Sequence, residues 1–134
     1  MIPKFRAWLK EENKMIEPSD ILSISFKLCE MTPNYLYGFE KEKYDFYDLE
    51  LMQSTGFEDN CGDAIFEGDI ILWTYWNEGD SGRAKIIFDN GMFKLLDICT
   101  EKEVWDNLFD CNENCDIYIQ GNIYENPELL EVER

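Results

Sequence analysis

The stretch Arg83-Ala84-Lys85-Ile86-Ile87-Phe88-Asp89-Asn90-Gly91-Met92-Phe93-Lys94-Leu95-Leu96-Asp97 decides how this chain reads. Asn-Gly between two apolar-rich runs is the strongest short-range hairpin signal, because a type I′ turn needs positive φ at both central residues. A turn at Asn90-Gly91 sets Asp89 opposite Met92, Phe88 opposite Phe93, Ile86 opposite Leu95 and Ala84 opposite Asp97. Ile86, Phe88, Phe93 and Leu95 then share one face, predicted to be buried, while Arg83, Lys85 and Lys94 mix with Ile87 and Leu96 on the other. A slip of one residue would reverse every side chain, so register and amphipathicity support the same antiparallel pair.

Upstream of the hairpin, Ile70-Ile71-Leu72-Trp73-Thr74-Tyr75-Trp76 reads as a strand that is apolar on both faces. One face enters the core and the other is predicted to lie under another element or a partner, which makes Trp73, Tyr75 and Trp76 the candidate protein-interaction residues. On the other side of the hairpin, Thr100-Glu101-Lys102-Glu103 matches a capping box, and Val104, Trp105, Leu108 and Phe109 follow at helical spacing. These signals predict a short helix near 101–110. Cys115–Ile119 reads as a further strand, and Asn126-Pro127-Glu128 carries the start signals of a final helical turn.

Toward the N-terminus, Phe5–Leu9 and Met15-Ile16 suggest a hairpin, and Leu22, Ile24, Phe26 and Leu28 share one parity of a half-buried strand. Pro33, Asn34, Gly38 and the charged run Glu40-Lys41-Glu42-Lys43 place a long loop between Glu30 and Asp45. Phe46–Gln53 reads as a strand with Tyr47, Leu49, Leu51 and Gln53 on one face, followed by turns at Thr55-Gly56 and at Asp59-Asn60-Cys61-Gly62. Short strands, frequent turn residues and one or two short helices give a mainly β protein. The expected architecture is a small SH3-like barrel or roll over residues 44–134, preceded by an N-terminal β element over residues 1–43.

The charge agrees with that division. Residues 1–43 carry seven basic and seven acidic side chains, whereas residues 44–134 carry five and twenty-two, so the second part holds the whole formal charge of −17. Such a surface repels phosphate backbones, which excludes direct nucleic-acid binding and makes a charged partner basic. No run approaches the roughly 20 apolar residues of a membrane span, and the start lacks a signal-peptide pattern, so no membrane partner and a cytosolic location are expected.

Five cysteines, Cys29, Cys61, Cys99, Cys111 and Cys115, form an odd set best read as reduced thiols. Cys111 and Cys115 fall two ligands short of a zinc site in a chain without histidine, and that absence also removes Ser-His and Cys-His nucleophiles. Asp110-Cys111-Asn112-Glu113-Asn114 opens like a calcium loop but lacks the later glycine and glutamate. Gly79-Asp80-Ser81-Gly82 lacks the basic residue of a phosphate cradle. The carboxylate pairs Glu67 with Asp69 and Asp48 with Glu50 carry no sequence mark of an acid and base. No catalytic residue, metal or cofactor is expected.

Read as ordered blocks, the chain resembles the YopX family of small phage and prophage proteins. The carrying blocks are Lys4-Phe5-Arg6-Ala7-Trp8, Leu51-Met52-Gln53-Ser54-Thr55-Gly56, Ile65-Phe66-Glu67-Gly68-Asp69-Ile70-Ile71 and Gly121-Asn122-Ile123-Tyr124-Glu125-Asn126-Pro127-Glu128-Leu129-Leu130. Cys61 departs from the asparagine the family usually has before Gly62. The resemblance implies a mainly β fold with an SH3-like second part, and no catalytic residues to carry over. The expected function is a phage or prophage accessory protein acting in the host cytosol as a non-enzymatic protein-interaction or self-assembling module. The alternative is an acidic nucleic-acid mimic that occupies a basic host protein, with Glu101, Glu103, Asp106, Asp110, Glu113 and Asp116 as its phosphate-like stripe.

Overall fold

A computed structural model describes residues 3–34, 38–77 and 79–131. The chain divides into two compact units, Met1–Gln53 and Ser54–Arg134. The composition break at residues 43 and 44 therefore falls inside the first unit, where Tyr44–Gln53 is held by pairing to earlier strands.

In the first unit, β1 (Phe5–Leu9) pairs antiparallel with β2 (Lys14–Ile16), Ala7 facing Ile16, as the sequence hairpin requires. The opposite edge of β1 takes the first half of β6 (Leu49–Glu58), with Ala7 facing Leu51. A second sheet orders β3 (Ile21–Ser25), β4 (Glu30–Pro33) and β5 (Tyr44–Asp45). The expected loop between Glu30 and Asp45 thus contains two strands; 35–37 lie outside the described residues. Their signal was too short to see, since β5 is only two residues long. The expected strand over 46–53 begins later, because Phe46–Asp48 forms a 3-10 turn that leaves Tyr47 91% exposed.

Ala7, Leu9, Ile16, Met31, Tyr44 and Leu49 form this unit's core. Tyr44 brings a hydroxyl into it, and a buried polar group must find partners. It donates to Glu12 Oε2 and accepts from the Lys41 backbone N–H at 3.2 Å. Burial, then the bond to Glu12, pushes the Tyr44 phenol up to about 12.

The second unit is built on a five-stranded antiparallel sheet that curls into a half-barrel of SH3-like character. Its order is β11 (Glu103–Val104), β10 (Met92–Asp97), β9 (Ser81–Asp89), β8 (Asp69–Tyr75) and β12 (Cys115–Asn122). The β9–β10 register is the one read from the sequence, Phe88 facing Phe93, with Asn90 at φ 52° and Gly91 at φ 77°. Phe88 itself is 51% exposed, because the pair lies at the turn end of the hairpin; its ring still meets Phe93 at 5.0 Å. The inner face carries Ile71, Ala84, Ile86, Leu95 and Ile117, closed over by Leu108 and Cys111 of α1 (Leu108–Asn114) and by Ile65 of β7 (Ala64–Phe66).

The helix is displaced from its expected span of 101–110. Asp97 Oδ2 accepts the backbone N–H groups of Cys99 and Thr100 at 3.0 and 2.8 Å, so a turn forms where the capping box would have begun. Glu103–Val104 then pairs with β10, and Glu101 and Trp105 take positive φ, which no helix tolerates. The working N-cap is Asn107, whose Oδ1 accepts from the Asp110 N–H at 2.8 Å. Likewise Thr55-Gly56 is no turn: it lies within β6, where Gly56 at φ 86° marks the register shift against β7. Pro127–Leu130 is a 3-10 turn, and Asn126 Oδ1 accepts from the Asn122 N–H at 3.2 Å instead of capping it.

Two predictions follow from packing. A Cβ on Gly82 would stand 2.9 Å from the Trp73 ring on the neighbouring strand, so Gly82→Ala is expected to destabilise by ~1–3 kcal/mol. Trp73→Phe should recover part of that loss, and urea melts of the single and double variants measure the coupling. Tyr44→Phe should cost ~1–2 kcal/mol at neutral pH by stranding Glu12. The raised tyrosine holds its contribution below pH 10 and loses it as pH climbs from 10 toward 12, so alkaline melts should show this decline in the parent chain and not in Tyr44→Phe.

Candidate functional site

β8 carries Trp73 and Tyr75, which strand alternation places on the same face, and Trp76 follows directly after its end. Trp73 and Tyr75 turn to the inner side, where both pack against the hydrophobic core. Trp105 covers them: its ring lies edge-on to Trp73 at 5.6 Å and nearly parallel to Tyr75 at 5.4 Å. This covering comes from the loop before α1, which adopts positive φ at Trp105 to deliver the ring. Trp73 and Tyr75 are therefore spent on packing within the unit.

Trp76 differs. It lies just past β8 and is 60% exposed, yet it is not loose. Its Nε1–H donates to Asp116 Oδ1 at 2.9 Å, and the same oxygen accepts from Asn60 Nδ2 at 2.9 Å. Asn60 Oδ1 in turn accepts the Ile117 N–H, tying the Asp59–Gly62 turn to β12. The Trp76 backbone N–H reaches Asn114 O at the end of α1. An exposed indole fixed from its polar edge keeps its apolar faces available to a partner at low entropic cost. Sequence reasoning grouped three aromatics where the structure presents one, and it read Asn60 as a turn residue and Asp116 as part of a carboxylate stripe without joining either to Trp76.

The six carboxylates of the supposed phosphate-like stripe are spread over loops, two strands and one helix. Glu101 and Asp106 sit in loops, Glu103 in β11, Asp110 and Glu113 in α1, and Asp116 in β12. Lys94 pairs with Glu103 at 3.4 Å and with Asp89 at 3.5 Å. Among the described residues no three His, Cys, Asp or Glu side chains gather as a metal site would. Cys111 and Cys115 are buried and hydrogen-bonded to one another, and burial above all pushes both thiols up.

The blocks that carry the resemblance hold the fold. Asp69, 1% exposed, accepts the Phe66 N–H at 2.7 Å across the turn made by Gly68 at φ 87°. Asn122 Oδ1 accepts from Tyr124 and Glu125, and a Cβ on Gly121 would collide with the Asn126 amide at 2.4 Å. A model of the YopX protein family matches residues 4–131. The chain belongs to the YopX family.

Solved structures that share the fold of this YopX-family chain include two that span it almost completely. Protein EF1440 from Enterococcus faecalis is 26% identical with a TM-score of 0.64, covering 98% of this chain and 99% of its own. Protein yopX from Bacillus subtilis is 19% identical with a TM-score of 0.63, covering 96% and 98%. The chain matches no curated protein. None of these matches indicates an enzyme family.

Thiol chemistry gives a direct check on the second unit. Cys29, Cys61 and Cys99 are exposed and should react with an aromatic disulfide reagent at once. Cys111 and Cys115 should react only as fast as the protein unfolds, so a native titration is expected to stop at three thiols and a denatured one at five.

Proposed function

We propose that this YopX-family chain is a non-enzymatic protein-interaction module, an accessory protein of phage or prophage acting in the host cytosol. Its second unit takes a basic, partly apolar protein surface at Trp76. The observation that carries this reading is the fixed exposed indole, held by Asp116, itself hydrogen-bonded to Asn60, on a strongly acidic unit. Residues 54–134 contain nineteen acidic and five basic side chains, so a basic partner is drawn in and a nucleic-acid backbone repelled.

The test compares the parent chain with Trp76→Ala in capture of basic proteins from host lysate. Capture should weaken as salt is raised, and Trp76→Ala should reduce it roughly tenfold or more, the usual consequence of truncating a central aromatic. Capture indifferent to Trp76, or submicromolar binding of duplex DNA by the isolated protein, would overturn the proposal.

A further inference from the structure

We propose that the second unit binds a small aliphatic α-amino acid in a cavity that Trp76 does not line, formed by the outer face of its sheet, the turn after β10 and the C-terminal 3-10 turn. The inference stands beside the interaction-module reading and does not depend on it.

The cavity holds about 360 Å³ and is lined by Lys85, Leu96, Asp97, Ile98, Glu101 and Leu130. Sites for small molecules start at about this size, with a range of roughly 300–1,000 Å³. Its base follows from the hairpin register: Leu96 on β10 stands opposite Lys85 on β9, on the face turned away from Ile86 and Leu95 of the core. Leu130 arrives from the 3-10 turn Pro127–Leu130. The third side is the turn after β10, where the Ile98 N–H donates to Arg83 O at 3.0 Å and the Glu101 N–H to Asp97 O at 2.9 Å. Glu101 sits at φ 59° in this bonded turn, so its carboxylate is presented from a fixed backbone.

Charge defines the ligand. Lys94, on the same face of the sheet, is paired with both Asp89 and Glu103. Lys85 shares its cavity with two carboxylates, yet among the described residues neither it nor they form an ion pair. Opposite charges thus stand apart around one cavity whose remaining wall, Leu96, Ile98 and Leu130, is apolar. The carboxylates oppose a purely anionic ligand, and the Lys85 ammonium opposes a purely cationic one. Among the described residues no three His, Cys, Asp or Glu side chains gather to hold a metal ion. A zwitterion with an aliphatic body answers every wall. Its ammonium, with three donors, takes Glu101 and Asp97, which keeps Oδ1 for this role while Oδ2 accepts the Cys99 and Thr100 N–H groups. Its carboxylate takes Lys85, and its side chain covers the three apolar residues. An α-amino acid of leucine size carries these groups on one carbon. Charged side chains nearby in sequence but outside the wall balance, Arg83 and Lys102 against Glu128 and Glu131. The wall itself keeps one surplus negative charge, so a second ligand carboxylate is repelled.

The test is a titration of the isotope-labelled full chain with L-leucine, followed by amide chemical shifts, with N-acetyl-leucine, leucinamide and glutamate as comparison ligands. Leucine should shift amides within residues 83–85, 96–101 and 127–131 with a Kd of roughly 0.1–1 mM, the strength open to so small a ligand. N-acetyl-leucine lacks the ammonium and leucinamide the carboxylate, so each should bind about tenfold more weakly, and glutamate should also bind more weakly than leucine. Lys85→Met should remove the preference for leucine over leucinamide. Glu101→Gln should weaken both of these amines several-fold and leave N-acetyl-leucine unchanged. The amide spectrum shows whether each variant is folded, and Lys85→Gln replaces Lys85→Met if that one is not. Absence of shifts at saturating leucine, shifts confined to other residues, or equal binding of the three leucine forms overturns the inference. So does a preference for leucine over leucinamide that survives loss of the Lys85 ammonium.

Discussion

The second unit depends on β8 being paired along both of its edges. On one side it meets β9, close in sequence; on the other it meets β12, which the chain reaches only after the whole hairpin and α1. The two pairings fix Ile71 against Ala84 on β9 and against Ile119 on β12, and with it the inner face on which the core is laid down. The strand starts from a buried carboxylate: Asp69 holds the Phe66 N–H across Gly68, while the Gly68 N–H donates to Ile86 O and the Ile123 N–H returns to Gly68 O. One tight turn therefore joins β7, β8, β9 and the segment after β12. This explains why the Glu-Gly-Asp block and the Gly-Asn block belong to the same structural problem, and why residues that mark the family can be accounted for without assigning them chemistry.

What the sequence revealed follows the range of the interactions. The Asn90-Gly91 hairpin was legible because turn chemistry and side-chain alternation act over adjacent residues and agree there. The helix was misplaced because the Thr100–Glu103 signature is also local, but a residue before it, Asp97, competes for the same backbone donors and wins. Nothing near Trp105 announces positive φ; its conformation is dictated by the Trp73 and Tyr75 rings it covers. The alternation at Leu22, Ile24, Phe26 and Leu28 does not persist as one strand face, because β3 ends at Ser25 and Phe26 and Leu28 lie in the turn before β4, where both are exposed. The candidate site suffered the same loss. β8 was visibly aromatic on both faces, but separating Trp76 from its neighbours required knowing which element closes over the inner face.

The acidity also changes meaning once the acceptors are located. Asp59 Oδ1 accepts the N–H groups of Cys61 and Asp63, and its Oδ2 accepts that of Ile119. Asp69, Asp97 and Asp116 accept as well, from backbone or side-chain donors in turns that join strands. A carboxylate is well suited to such corners because it accepts several hydrogen bonds without needing a donor in return. Part of the negative charge in the second unit is thus structural, set where turns present unpaired N–H groups, and it would be needed whether or not a basic partner existed. The net charge alone cannot then argue for a partner. The argument has to come from places where charge is joined to exposed apolar surface, and on this unit Trp76 above Asp116 is such a place.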